Sequence, residues 1–239
     1  MISIVAGGYN EKKYLHSFFT SIYKQTCPYL SEVIYVDNGS RDGSTGYIEQ
    51  YFPQVRLVQM GANVGFCRQF NRGISEARGK YIFIVNVDMV LKDTYVESAL
   101  LAMGKDPAIG RVSGKSFFMK EDGSFTDIID SAGHSIDKMR WHKNIGDSQK
   151  DDGRFDKEGY IFGVCGALGF YKRELLEDIA IDGQYFDEIF FQTIEDVDLD
   201  WRSQLQGWKC YYTPKAVAYH IRKGSCWDKK KTFMYHNYK

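Results

Sequence analysis

The strongest constraint on the fold is an alternation of strand-like and helix-like segments over the first 85 residues. Short apolar runs rich in β-branched residues are separated by helical patterns, and they fall at residues 2–6, 32–36, 55–59 and 81–85. The last run is apolar throughout, as expected for a strand covered on both faces. We therefore predict an α/β fold with a doubly wound, mostly parallel central sheet and helices on both faces.

Ligands of such sheets bind where the strands end and open onto loops. Three predicted strand ends carry polar residues, which are Tyr9, Asp37 and the pair Asn86 and Asp88. In extended backbone the two-residue spacing of that pair points both side chains the same way. Their oxygens suit a hard divalent cation, whose coordination a diphosphate can complete. A turn held by side-chain hydrogen bonds explains the same motif equally well.

Acidic groups interrupt an aromatic run in residues 185–202. A buried carboxylate is costly unless it is paired or near a metal, and such groups acquire shifted pKa values that suit proton transfer. If the segment forms a helix, Asp196 and Asp200 lie beside an apolar face formed by Val197 and Trp201. Ordinary helix caps and dipole partners are the alternative interpretation of these carboxylates.

The charge balance excludes bulk electrostatic attraction to nucleic acid, because 31 basic residues match 31 acidic ones. The five cysteines are scattered without metal-ligand spacing, which favours reduced thiols that fill the core. No apolar run reaches the roughly 18 to 20 residues of a membrane span. We expect a cytoplasmic protein, and its oligomeric state leaves no readable signal.

Two segments in the second half are harder to interpret. Residues 111–159 mix short apolar pieces with Gly, Asp and Ser, which predicts an irregular or hairpin-rich insertion that faces an acceptor. The small-residue segment 163–169, GVCGALG, allows a close backbone approach to a ligand, although tight packing explains its glycines equally well.

Basic residues and a histidine follow the last predicted strand. Two short strands, 210–213 and 216–219, flank a proline, and the second ends at His220. Because Arg222 and Lys223 follow directly, this position favours a phosphate or metal role over an ordinary surface histidine.

We divide the chain into two halves of one domain, residues 1–110 and residues 111–226. The tail, residues 227–239, mixes basic and aromatic residues. It is a candidate for peripheral contact with a membrane, and a solvated tail is the alternative.

Taken in order, these motifs resemble one family far more specifically than any of them does alone. The chain is similar to the inverting family 2 nucleotide-sugar glycosyltransferases of the GT-A type fold, and most similar to their bacterial rhamnosyltransferase-like branch. The resemblance rests on the segments SIVAGGYNE, VIYVDNGSRDGS, NVGFCRQFNRGI, ARGKYIFIVNVDMVL, GALGFYKRE, FDEIFFQTIEDVDLDWR and PKAVAYH.

The resemblance implies that residues 1–110 are the nucleotide-sugar-binding half and residues 111–226 the acceptor-binding and catalytic half. It also implies a nucleotide site built from five residues. Tyr9 would stack near the base, and Asp37 would accept a hydrogen bond from a pyrimidine ring N–H. Asn63 and Asn71 would border the pocket, and Asn86 would approach the ribose.

The same resemblance implies a metal centre and a catalytic base. Asp88 would bind Mg²⁺ or Mn²⁺ at the diphosphate, with His220 completing the site, and Asp196 would be the base. The residues implied to support the acceptor pocket are Glu195 and Asp198, and those placed to neutralise the departing diphosphate are Arg222 and Lys223.

The implied activity is transfer of a sugar from dTDP-rhamnose or a related pyrimidine-diphosphate sugar to a saccharide or lipid-linked saccharide, in surface polysaccharide synthesis at the inner face of the cytoplasmic membrane. A sugar nucleotidyltransferase would share the sheet, but it should carry a Gly-rich basic loop after the first strand, where this chain has Gly7-Gly8 followed by Tyr-Asn-Glu. A noncatalytic sugar-nucleotide-binding protein stays open. A dinucleotide-binding domain is disfavoured because no G-x-G-x-x-G opens the first helix.

Overall fold

A computed structural model describes residues 1–222 of the chain. Within that range the strands are β1 (Ile2–Gly8), β2 (Leu30–Asp37), β3 (Arg56–Gln59), β4 (Tyr81–Asn86), β5 (Met89–Leu91), β6 (Ile109–Met119), β7 (Phe125–Ser131), β8 (His134–Ile136), β9 (His142–Asn144), β10 (Gly159–Ile161), β11 (Leu168–Lys172) and β12 (Lys209–His220). The helices are α1 (Lys12–Tyr23), α2 (Ser44–Tyr51), α3 (Gly65–Glu76), α4 (Tyr95–Met103), α5 (Arg173–Asp178) and α6 (Glu195–Leu205), with a short 3-10 turn at Glu188–Phe190.

One large sheet organises the molecule, in the strand order β10-β12-β6-β11-β4-β1-β2-β3, with β5 paired to β12 and β7 to β6. β1 pairs in parallel with β2 and β4, and β2 pairs in parallel with β3. The prediction that the first four strands form a parallel sheet is therefore confirmed. β11 enters between β4 and β6 in the antiparallel direction.

Strand β4 shows why the sheet is covered on both faces. Phe83 and Val85 belong to one core with the buried faces of α1, α2 and α4. Ile82 and Ile84 belong to a second core with α3, α5 and α6. Since side chains alternate along a strand, an uninterrupted apolar run is what two helical layers require.

The start of the predicted insertion is wrong, because residues 111–119 belong to the eleven-residue strand β6 in the central sheet. The hairpin-rich part begins only after Met119, with β7 and the small β8–β9 sheet. The boundary we drew at residue 110 falls inside β6, so both halves of the chain contribute to one sheet.

The two short strands predicted around Pro214 are one twelve-residue strand, β12. Its pairing with β6 shifts register between Tyr212 and Val217, and such an irregularity accommodates a proline within a ladder. At its end His220 pairs with Met89, directly after Asp88. No helix in residues 1–222 has the length and apolar character needed to cross a membrane. Lys223 and the tail 227–239 lie outside the described residues.

Candidate functional site

A cavity of about 570 Å³ lies where β4 and β12 end and α6 begins. Six of the residues singled out from the sequence line it, namely Asn86, Asp88, Glu195, Asp196, His220 and Arg222. The fold therefore brings Asp88, which precedes α6 by more than 100 residues in sequence, together with His220 and the acidic start of α6 around one space.

Asp88 and His220 form one wall of this cavity. The Nε2 atom of His220 lies 3.3 Å from Asp88 Oδ2, and its Nδ1 lies 3.0 Å from Asp130 Oδ2. Burial disfavours the imidazolium, but the two carboxylates outweigh it and raise the pKa of His220 to about 10. The Oδ1 atom of Asp88 is buried and has no hydrogen-bond partner among the described residues.

An unsatisfied buried carboxylate oxygen beside an imidazole fits a divalent cation. Asp130 would orient the imidazole of His220 from its far side, as the outer partners of metal-bound histidines commonly do. Sequence reasoning missed Asp130, since it lies in the hairpin region and nothing in the local pattern marks it.

Asp196 lies in the first turn of α6 and faces the same cavity. The backbone N–H of Gly166 donates to its Oδ2 at 2.8 Å, and that of Val197 donates to its Oδ1 at 2.8 Å. The neighbouring Glu195 is 5% exposed, and burial together with the charge of Asp196 raises its pKa to about 8. Glu195 is therefore mostly protonated at neutral pH.

A buried chain of charges lies behind Asp196. His134 Nε2 is 3.7 Å from Asp196 Oδ2, and His134 Nδ1 is 2.9 Å from Asp200 Oδ2. Asp200 in turn pairs with Arg111, whose Nε lies 3.0 Å from Asp200 Oδ1, and neither side chain is exposed. Burial opposes the imidazolium of His134, but both flanking carboxylates hold its pKa well above the ordinary value. Negative and positive side chains thus alternate along this buried network, and such pairing is what allows charges to be buried.

Gly163, in the segment 163–169, serves this network. A Cβ atom on Gly163 would lie 1.6 Å from Asp200 Oδ2, so only glycine lets the carboxylate pack there. The adjacent N–H of Val164 lies 3.1 Å from the same oxygen. At Gly163 the tight-packing alternative is therefore confirmed, and its partner is the Asp200 side chain.

The backbone just before α6 is strained. Phe191, Thr193 and Ile194 have φ angles of 56°, 76° and 72°, in the left-handed region that β-branched residues avoid. Such conformations typically cost about 1–3 kcal/mol each and cluster at functional sites. Because Thr193 and Ile194 also line the cavity, the strain lies where Glu195 and Asp196 enter it.

Tyr9 and Asp37, which were predicted to bind the nucleotide, lie beyond this cavity, at the ends of β1 and β2. Tyr9 is 41% exposed. The Oδ2 atom of Asp37 accepts from the N–H groups of Gly39 and Ser40, whereas its buried Oδ1 has no hydrogen-bond partner among residues 1–222. A ring N–H of a base is the kind of donor that this oxygen lacks.

Asn63 belongs to a turn beside the same edge. Its side-chain oxygen accepts from Asn38 Nδ2 and from the N–H of Gly65, both at 3.1 Å. It lines a neighbouring cavity of about 670 Å³ that also contains Asp187 and Glu188. We place the chemistry in the smaller cavity, because Asp88, His220 and Asp196 meet there.

Two predicted residues are already occupied elsewhere. Asn71 exchanges two 2.8 Å hydrogen bonds with the backbone of Phe186 and donates a third to Glu188, so no donor is free for a nucleotide. Asp198 pairs with Arg202 one helical turn later, outside the 570 Å³ cavity.

Arg222 does line the cavity, with its Nε 2.8 Å from Asp130 Oδ1. The guanidinium is therefore anchored by the same carboxylate that holds His220.

Comparison with known proteins identifies the family of this chain. Residues 3–180 match the model of the family described as glycosyl transferase family 2. The chain is 27% identical over 192 residues to glycosyltransferase GlyG of Streptococcus pneumoniae, which covers 79% of this chain and 62% of that protein. It is 27% identical over 249 residues to the N-acetylglucosaminyl-diphospho-decaprenol L-rhamnosyltransferase of Mycobacterium tuberculosis, covering 94% of this chain and 77% of the relative.

Solved structures show the same fold at lower sequence identity. GalNAc-T7 with UDP, GalNAc and Mn²⁺ superposes with a TM-score of 0.74 at 16% identity, covering 92% of this chain and 43% of that one. The mannosyltransferase PcManGT from Pyrobaculum calidifontis, in complex with GDP-Man and Mn²⁺, gives 0.64 at 20% identity, covering 92% of this chain and 56% of that one. The sheet thus has the GT-A architecture, and the chain belongs to glycosyltransferase family 2.

Proposed function

We propose that this chain transfers a sugar, with inversion, from a pyrimidine nucleoside-diphosphate donor to a hydroxyl of a saccharide or lipid-linked saccharide. The observation that carries the proposal is the single cavity that holds Asp88 and His220 on one side and Glu195 and Asp196 on the other. Direct displacement needs a base for the incoming hydroxyl and charge neutralisation for the leaving diphosphate.

Asp196 is the base in this proposal. It takes the proton of the acceptor hydroxyl as that oxygen forms a bond to the anomeric carbon. The bond from this carbon to the diphosphate oxygen breaks on the opposite face, and the nucleoside diphosphate leaves with the electron pair. A protonated Glu195 beside the base keeps a second negative charge out of the site.

Asp88 and His220 would hold Mg²⁺ or Mn²⁺ near the diphosphate. The bound cation supplies charge stabilisation to the departing phosphate oxygens. Asp130 holds Arg222 beside this end of the cavity, where a guanidinium can also contact a phosphate. Tyr9 and Asp37 would take the base, with the unpaired Oδ1 of Asp37 accepting from a pyrimidine ring N–H.

The donor we favour is dTDP-rhamnose or a related sugar, and the acceptor is a lipid-linked saccharide. The mycobacterial relative, a rhamnosyltransferase that acts on a decaprenol-linked sugar by its name, supports both choices. Surface polysaccharide synthesis at the inner face of the membrane is the corresponding process.

Two variants of the purified chain test the assignment, with nucleoside diphosphate release measuring turnover and calorimetry measuring donor binding. Asp196→Asn should lower turnover by about 10²–10⁴-fold and leave the donor Kd unchanged, because a positioned base contributes about that much. Asp88→Ala should remove the Mn²⁺-dependent part of donor binding. Asp122→Asn, at an exposed turn, is the matched control and should behave as wild type.

Wild-type turnover by the Asp196→Asn variant would refute the base assignment. Pyrophosphate release from a nucleoside triphosphate and a sugar phosphate would instead indicate a nucleotidyltransferase. Donor binding without hydrolysis or transfer, across a broad acceptor panel, would indicate a noncatalytic protein.

A further inference from the structure

A second group of metal-binding side chains lies around the proposed base. His134, Cys165 and Asp196 each offer one ligand atom, and these three atoms lie within 4.8 Å of one another. The measured separation between His134 Nε2 and Asp196 Oδ2 is 3.7 Å. Tetrahedral zinc, with bonds of about 2.0–2.3 Å, separates its ligands by about 3.3–3.6 Å, so small side-chain movements would complete the geometry. We propose that these three residues bind Zn²⁺ and that the bound ion blocks sugar transfer.

The ligand types distinguish this group from the Asp88–His220 pair. A thiolate with an imidazole and one carboxylate is a soft to borderline set that favours zinc. Mg²⁺ and Mn²⁺ prefer oxygen ligands and gain little from a cysteine. The two groups should therefore discriminate between cations, even though both line one cavity.

The histidine is oriented as a zinc ligand usually is, and zinc binding releases the proton that Nε2 carries in the imidazolium. Its Nδ1 lies 2.9 Å from Asp200 Oδ2, which directs Nε2 towards Cys165 and Asp196. A carboxylate on the far nitrogen of the imidazole fixes the ring and strengthens its binding to the metal. Asp200 is itself fixed by Arg111, so this support is rigid.

The thiol is placed by hydrogen bonds on either side of it. The N–H of Val164 lies 3.1 Å from Asp200 Oδ2, and the N–H of Gly166 donates to Asp196 Oδ2 at 2.8 Å. Cys165 lies between these two residues. The loop that carries the thiol is therefore hydrogen-bonded to Asp200, which holds His134, and to Asp196 itself. Cys165 and Asp196 are partly exposed and line the cavity, which gives an ion access.

Inhibition follows from the identity of the third ligand, and this step rests on the proposed function. A zinc ion on Asp196 occupies the carboxylate that must accept the acceptor proton. Three protein ligands leave a fourth position for water, so the ion can exchange and the block is reversible.

Cobalt binding tests the site without any assay of transfer. Metal-free protein titrated with Co²⁺ should develop a thiolate-to-cobalt charge-transfer absorption that saturates at one ion per chain and disappears when Zn²⁺ is added. Cys165→Ser should abolish the absorption, and Asp88→Ala should leave it unchanged. Circular dichroism shows whether each variant is folded. Absence of the absorption in the wild type, or its persistence in folded Cys165→Ser, would overturn the proposal.

The inhibitory role is tested in the transfer assay at saturating Mn²⁺. Zn²⁺ should inhibit the wild type, and half-inhibition of Cys165→Ser should need at least a tenfold higher concentration, each relative to that variant's own uninhibited rate. Equal sensitivity would overturn the inhibitory role. If no donor supports transfer, the proposed function fails, while the cobalt spectrum still decides whether the zinc site exists.

Discussion

Replacing Asp200 by Asn removes one negative charge from the middle of the buried network and keeps the shape of the side chain. The guanidinium of Arg111, with its Nε 3.0 Å from Asp200 Oδ1, then remains charged without its carboxylate. Since neither side chain is exposed, water cannot replace the lost partner. His134 loses an ionic partner at the same time.

The cost follows from this geometry. Removing one partner of a buried ion pair typically costs about 3–5 kcal/mol, because the other charge stays buried and uncompensated. The amide oxygen of Asn can still accept from the N–H of Val164, so this hydrogen bond adds little to the loss. For a chain of this size each kcal/mol lowers the melting temperature by about 2–4 °C, which predicts a drop of roughly 6–20 °C.

Thermal unfolding followed by circular dichroism at neutral pH measures the drop. Asp152→Asn is the matched control, because its pair with Arg154 is exposed and its melting temperature should stay that of the wild type. A double variant, Arg111→Met with Asp200→Asn, should lose less stability than the two single changes together. The reasoning about an uncompensated charge is wrong if Asp200→Asn has the same melting temperature as the control. It is also wrong if the loss of stability in the double variant equals the sum of the losses in the two single variants.

Two further predictions concern packing and pH. Gly163→Ala should lower the melting temperature strongly, because its Cβ would lie 1.6 Å from Asp200 Oδ2. Gly159→Ala is the control and should melt as the wild type does, because a Cβ there would meet nothing within 4 Å. Equal melting temperatures for the two variants would contradict the packing argument. Burial and the charge of Asp88 raise the pKa of Glu11 from its ordinary 4.5 to about 8. The stability that the folded protein has while Glu11 is protonated is therefore fully present below pH 4.5 and is lost as the pH rises through about 8. Chemical unfolding should show a loss over this window that is larger in the wild type than in Glu11→Gln by a few kcal/mol, because Glu195 titrates in the same window in both proteins. Parallel pH profiles would contradict the assignment.

The parallel half of the fold was predictable from local pattern. Each strand from β1 to β4 is a short apolar run with a turn at its end, and the pairing of neighbouring strands follows from their covered faces. The polar residues after these strands, above all Asp37 and Asp88, lie at the predicted edge because parallel strands end together. This much depends on interactions close in sequence.

Strand β6 could not be predicted in this way. Arg111, Lys115 and Ser116 interrupt its apolar pattern, so the segment looks like a polar loop. Each polar group is satisfied by a partner distant in sequence: Arg111 by Asp200, Lys115 by Asp151 and Ser116 by Asp130. A buried polar residue looks exposed until its partner is known.

The same limit applies to the site. Asp196 and Glu195 were predicted from their segment and family motif, but His134 and Cys165 reach Asp196 only through tertiary contacts. Asp130 likewise reaches His220 only through a tertiary contact. Conversely, Asn71 and Asp198 belong to the motif pattern, yet their side chains already have partners in Phe186 and Arg202. Sequence position fixed their segments but not the atoms that remain available for binding.

The hairpins after β6 limit how far this protein can be altered by exchange of parts. In many enzymes a variable insertion can be replaced to change the molecule that is accepted, while the reacting groups stay on the conserved sheet. Here the insertion also provides His134, next to Asp196, and Asp130, next to His220. A graft that replaced residues 120–161 would therefore change the partners of Asp196 and of His220 together with the predicted acceptor surface. Under the proposed function, choice of acceptor and strength of catalysis would therefore change together.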